Sequence, residues 1–143
     1  MKIKLTAVIF IIFLMFTSAA ADEGINLSID SELAVLDGYP LISVNNTVMV
    51  SVRELLLKCG KQSRVFYNPG DKSVSITIDG NFNFFCPNSA FCVINNEMAP
   101  LCEKVFLYDD HTLYIPIKAA AKILSCAYVQ SENDAQLLQL IIQ

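Results

Sequence analysis

The sequence predicts an α+β fold in which two strand–helix–strand pseudo-repeats form a small antiparallel or mixed sheet packed with two short helices. Three observations predict it. A stretch of the chain occurs twice, at residues 46–60 and 111–125. Within each copy an alternating apolar run leads directly into a helical apolar stripe. Beyond each copy lies a further alternating run. A repeated supersecondary unit carries an apolar face that one copy cannot bury alone, so the two are expected to share a core.

Residues 1–21 are set apart from that fold. Lys2 and Lys4 form a basic head, residues 5–16 are apolar apart from Thr6, and Ala19-Ala-Ala21 supplies small residues for cleavage. The apolar run is shorter than the roughly twenty residues that span a bilayer as a helix. A cleaved export signal is therefore expected, with an uncleaved anchor as its competitor. The remainder, 22–143, has the length of a single domain.

In the first copy, Asn46-Thr-Val-Met-Val-Ser-Val-Arg-Glu-Leu-Leu-Leu-Lys-Cys-Gly60, a polar turn gives way to a strand and then to a helix. Val52, Leu55, Leu56 and Cys59 are spaced i, i+3, i+4, i+7 and share one helical stripe. Gly60 is a left-handed helix stop. Asn68-Pro-Gly-Asp71 is a turn, and Val74, Ile76 and Ile78 share one face of the following strand. Phe82-Asn-Phe-Phe-Cys86 and Phe91-Cys-Val-Ile94 read as strands, with Asn95-Asn96 a tight turn after them. In the second copy, His111-Thr-Leu-Tyr-Ile-Pro-Ile-Lys-Ala-Ala-Ala-Lys-Ile-Leu-Ser125, the stripe is Ile117, Ala120, Ala121 and Leu124. Pro116 fits a strand end or first helical turn. Ser131-Glu-Asn-Asp134 is the matching turn. Leu138, Leu140 and Ile142 match Val74, Ile76 and Ile78, and their strand, apolar on both faces, is expected inside a sheet.

Charge narrows the partners. The chain has 14 carboxylates and 10 basic residues, and removal of Lys2 and Lys4 with the leader leaves a net −6. That balance opposes nucleic acid and anionic membrane surfaces, which require cationic patches; membrane contact is expected only through the leader if it stays uncleaved. Cys59, Cys86, Cys92, Cys102 and Cys126 make an odd set, without a C-x-x-C pair and with His111 the one histidine. A disulfide, if present, is expected among Cys86, Cys92 and Cys102, and connectivity stays open. Asp109-Asp110-His111 has metal-ligand types but reads as a turn. Asn26 and Asn45 open N-x-[ST] sequons. Phe66, Tyr67, Phe82, Phe84, Phe85, Phe91, Phe106, Tyr108 and Tyr114 are read as core in preference to a carbohydrate platform, since no Trp accompanies them.

The segments Asn45-Asn-Thr-Val-Met-Val-Ser-Val-Arg53, Val65-Phe-Tyr-Asn-Pro-Gly-Asp-Lys-Ser-Val-Ser-Ile78, Phe91-Cys-Val-Ile-Asn-Asn-Glu-Met-Ala-Pro100 and Asp110-His-Thr-Leu-Tyr-Ile-Pro-Ile-Lys118 follow one another in an order that resembles the copper amine oxidase N-terminal-like domain. The likeness covers about residues 31–142, with pseudo-repeats at about 31–79 and 90–143. Ser51 stands at the family's proline, Cys59 at its leucine and Gln130 near its tryptophan. The resemblance implies a non-catalytic stalk or surface module of bacteria. It implies no catalytic, cofactor-binding or metal residue and no cofactor, because the copper site of such enzymes uses three histidines in a separate domain.

The expected function is a secreted, non-enzymatic binding or structural module at the cell surface, with a cell-wall component or a surface protein as partner. A secreted inhibitor or regulator of an enzyme is the alternative, and a small hydrolase or metal-dependent enzyme is the least favoured reading. Intact-mass measurement on exported protein is expected to show loss of residues 1–21. A full-length species in the membrane fraction would contradict it.

Overall fold

The computed structural model describes residues 25–36, 38–130 and 137–142. The expected leader and the turn at 131–134 lie outside them. Among the described residues no helix is long and apolar enough to cross a membrane.

The described chain is mostly β, with thirteen strands in three sheets and two short helices. The first sheet holds β1 (Asn26–Ile29), β2 (Glu32–Ala34), β12 (Cys126–Gln130) and β13 (Leu137–Ile142), in the order β12-β13-β1-β2 with β1 and β13 parallel. The second is antiparallel, β10-β11-β4-β3, built from β3 (Ile42–Val44), β4 (Thr47–Ser51), β10 (Phe106–Tyr108) and β11 (Thr112–Pro116). The third is a five-stranded antiparallel meander of β5 (Ser63–Tyr67), β6 (Val74–Ile78), β7 (Asn81–Phe85), β8 (Phe91–Ile94) and β9 (Glu97–Pro100). Helix α1 is Val52–Cys59 and α2 is Ile117–Ile123.

This corrects the expected α+β arrangement of two strand–helix–strand pseudo-repeats around one small sheet. Each of the two similar stretches is flanked by hairpins, but their strands are divided. Hairpins β3–β4 and β10–β11 meet in the second sheet, whereas β5–β6 enters the meander and β12–β13 pairs with β1. The reason is physical. Helices of eight and seven residues make about two turns each, too little apolar surface to cover a sheet as a layer. The added strands β2, β3, β5 and β10 are short or exposed and carry little alternation to read.

Local chemistry sets the registers. Asp30-Ser31, Asn45-Asn46, Asp79-Gly80, Asn95-Asn96 and Asp109-Asp110 all have positive φ at both positions. Such turns match the right-handed twist of the strands they join. Helix α1 is capped by Ser51, whose Oγ accepts the Glu54 N–H at 3.4 Å, and stops at Gly60 with φ +61°. Pro116 opens α2 without a side-chain cap.

Val52, Leu55 and Leu56 of α1 are buried and Cys59 is half-buried, while Arg53 and Lys58 face solvent. In α2, Ile117, Ala120, Ala121 and Leu124 are buried, and so is Ala119 on another side. This helix packs against β4 and β11, against β12 and against β8, and so touches all three sheets. Leu138 and Leu140 of β13 are fully enclosed between β12 and β1.

Leu55 is 1% exposed, so Leu55→Ala is expected to cost about 2–5 kcal/mol through lost burial and a residual cavity. Lys58→Ala is expected to cost less than about 0.5 kcal/mol. Equal denaturation midpoints for the two variants would refute this packing of α1.

Candidate functional site

Strand β7 inverts the usual rule of apolar side chains inward. Asn83 and Phe85 point to the core and are fully buried, while Phe82 and Phe84 point away from it. The buried amide is satisfied. Asn83 Nδ2 donates to the carbonyls of Ile76 at 3.2 Å and Asn81 at 3.3 Å, and Asn83 Oδ1 accepts the Asn95 N–H at 2.8 Å. Asn96 Oδ1 accepts the Phe82 N–H at 3.0 Å, and Asn95 Nδ2 donates to the Lys122 carbonyl of α2 at 3.0 Å. The β8–β9 turn is thereby tied to β7 and to the helix.

The registers put Phe66, Ser75, Phe84, Val93 and Met98 in one row across all five strands, on the face turned away from the core. Phe82 and Phe91 flank that row on the same face. Phe66 is 68% exposed, Phe91 58% and Met98 80%. Phe82 stacks on Phe84 with ring centroids 6.5 Å apart. Arg64 is the charged strand residue on this face and has no ion-pair partner among the described residues. A contiguous exposed aromatic surface is the kind of departure that marks an interaction site.

The opposite side of the same sheet edge forms a cleft of about 320 Å³ beneath α1. Leu56 and Leu57 of the helix, Val65 and Tyr67 of β5, and Leu113 line it together with Arg53 and His111.

Residues that the sequence singled out fall in separate places. Asp109, Asp110 and His111 form the β10–β11 turn, and Asp110 pairs with Lys72 at 3.5 Å. Among the described residues no group of three or more His, Cys, Asp or Glu is placed to share a metal. No disulfide joins any of the five cysteines in the structure, including Cys86, Cys92 and Cys102. Cys92 is buried with Sγ against the Ala99 carbonyl at 3.5 Å, and Cys102 is exposed. The aromatic residues divide. Phe85 and Tyr114 are core, and the Tyr114 hydroxyl donates to the Pro40 carbonyl at 2.9 Å. Burial and the neighbouring Tyr108 and Tyr39 push Tyr114 up to about 12. The exposed phenyls, expected as core, were missed; the signal available was the alternation of Asn and Phe in β7, which offers either face as the inner one.

Burial, with a smaller contribution from Cys126, pushes the Cys59 thiol up to about 11. The folded state then keeps a proton that the unfolded chain loses above about pH 9, so this group's stabilisation is present below that pH and lost as pH rises toward about 11. In reduced protein near pH 8, iodoacetamide is expected to label Cys102 first and Cys59 slowly, because the thiolate is the nucleophile and burial limits access. Equal labelling rates, read by mass spectrometry, would contradict this.

Residues 28–139 match the family described as copper amine oxidase N-terminal domain. Neither the curated proteins nor the solved structures yield a match.

Proposed function

The chain belongs to the copper amine oxidase N-terminal domain family, a non-catalytic module of those enzymes, and from that premise we propose that it is an exported, non-enzymatic binding module that docks a protein at the bacterial cell surface. One observation carries the reading: the outer face of the five-stranded sheet presents Phe66, Phe82, Phe91 and Met98 to solvent around a half-buried Phe84. Exposed apolar area of this kind costs free energy in the isolated chain and returns it when a partner excludes water. Aromatic side chains and Met are enriched at protein interfaces for that reason.

The same face argues for protein over glycan. A sugar presents hydroxyls that need hydrogen-bond partners when desolvated. Among the outward strand residues only Ser75, Thr77 and Arg64 supply them, and the stripe between Phe84 and Met98 is apolar. Phosphate-rich wall polymers would need more cations than one Arg.

Co-sedimentation with purified bacterial cell walls tests the reading. Walls that retain their proteins are expected to pull the module down, and protease-treated walls are expected to release it. A Phe91→Ser, Met98→Ser double variant is expected to lose retention by about tenfold or more while keeping its denaturation midpoint, both side chains being exposed. Undiminished retention on protease-treated walls would place the partner in the glycan, and undiminished retention of the variant would remove this face from the function.

A further inference from the structure

The meander has two edges, and they differ. The β9 edge carries Glu97 and Pro100, a charge and a residue without an N–H, both of which discourage pairing. Of the edge strands in the other sheets, β2, β3 and β10 are three residues long, and β12, with five, is half-buried from Cys126 to Tyr128. At β5, five consecutive residues, Ser63-Arg-Val-Phe-Tyr67, are all exposed. The outward backbone groups can be assigned. Asn68 N–H donates to the Ser73 carbonyl at 2.9 Å, which makes that pair hydrogen-bonded and continues the β5–β6 register. Bonded pairs alternate along an antiparallel ladder. Phe66 and Arg64 therefore bond to β6, and Ser63, Val65 and Tyr67 turn their N–H and C=O groups outward.

We propose that β5 pairs with β5 of a second copy, antiparallel about a two-fold axis at Val65, joining the two meanders into one continuous sheet. Val65 then faces Val65 as a hydrogen-bonded pair, which is what its outward groups require. Ser63 and Tyr67 face each other twice, and the three outward residues of each copy all find partners. Arg64 falls opposite Phe66 of the other copy, on the aromatic face, where a guanidinium gains from the ring. That pairing identifies the occupant. Arg64 is a charge that would discourage an arbitrary strand, and in this register it meets a phenyl and no like charge. Although the exported chain is acidic, β5 itself has no carboxylate, so the contact strip lacks the repulsion that the rest of the surface would impose. The two aromatic faces become coplanar neighbours. The inference stands on the edge strand and is independent of what the aromatic face binds.

Sedimentation equilibrium on the folded chain is expected to give a dimer mass at micromolar concentration. Val65→Pro deletes an N–H that its own sheet does not use, so the variant is expected to unfold as cooperatively as the parent while its dimer dissociation constant rises at least about tenfold. Phe66→Arg sets like charges opposite one another and is expected to give monomers, whereas Phe66→Glu sets a carboxylate opposite Arg64 and is expected to retain the dimer. A monomer at every concentration overturns the proposal, including one that captures a foreign peptide. So does a dimer that survives Val65→Pro, or identical behaviour of the two Phe66 variants.

Discussion

The structure depends on one small helix placed where three sheets converge. Helix α2 lies against β4 and β11, β12, and β8, and its Ala119, Ala120 and Ala121 are 6%, 0% and 3% exposed. Three consecutive residues on an α-helix point in widely separated directions, so their common burial means that the helix is enclosed on several sides. Only side chains as small as Ala let three sheets approach one helix this closely, since packed interiors leave no room for additional methylenes. Ile117, Ile123 and Leu124 then fill the wider gaps at its ends. Helix α1 has no such role. It rests on β4 and β11, leaves Leu57 67% exposed and supplies Leu56 and Leu57 to the wall of the cleft beneath it.

Attachment of the meander follows from the same helix. Strand β8 meets α2, and Asn95 Nδ2 reaches the carbonyl of Lys122 near the helix end. The inner face of the meander supplies Val74, Ile76, Ile78, Phe85, Cys92 and Ile94 to the common core. On its outer face Phe66, Phe82, Phe91 and Met98 are exposed. One sheet thus has two unlike sides: its inner face holds the domain together, and its outer face and β5 edge are the surfaces on which the proposed contacts would form.

Much of the local pattern was legible. The stripes at Val52, Leu55, Leu56 and at Ile117, Ala120, Ala121, Leu124 are buried, as are Val74, Ile76, Ile78, Leu138 and Leu140, because periods of 3.6 and 2 are imposed by backbone geometry. The Asn95-Asn96 turn was legible because Asn tolerates positive φ. The division into three sheets was not, since strand pairing is long-range and the two similar stretches send their strands to different partners. The parallel pairing of β1 with β13 joins opposite ends of the chain and leaves no local signature. Nor did the burial of Ala119 follow from a one-face stripe, which assumes that a helix has only one neighbour.

The aromatic face was missed for a reason that also explains how it is kept. In β7 the run Asn81-Phe-Asn-Phe-Phe85 offers two phenyls to one side and one to the other. Hydrophobic alternation alone would favour burying Phe82 and Phe84, and a slip of one residue would achieve it. Hydrogen bonds decide against the slip. With Asn83 inside, its amide meets three backbone groups, and Asn96 closes the neighbouring turn onto Phe82 and Asn81. In the slipped register those amides would be exposed to water and the turn would lose its anchors. In the observed register the Asn83 amide is paired, the turn stays anchored to β7 and Phe85 keeps its place in the core. The fold therefore holds its aromatic side chains outward by satisfying a polar one inward.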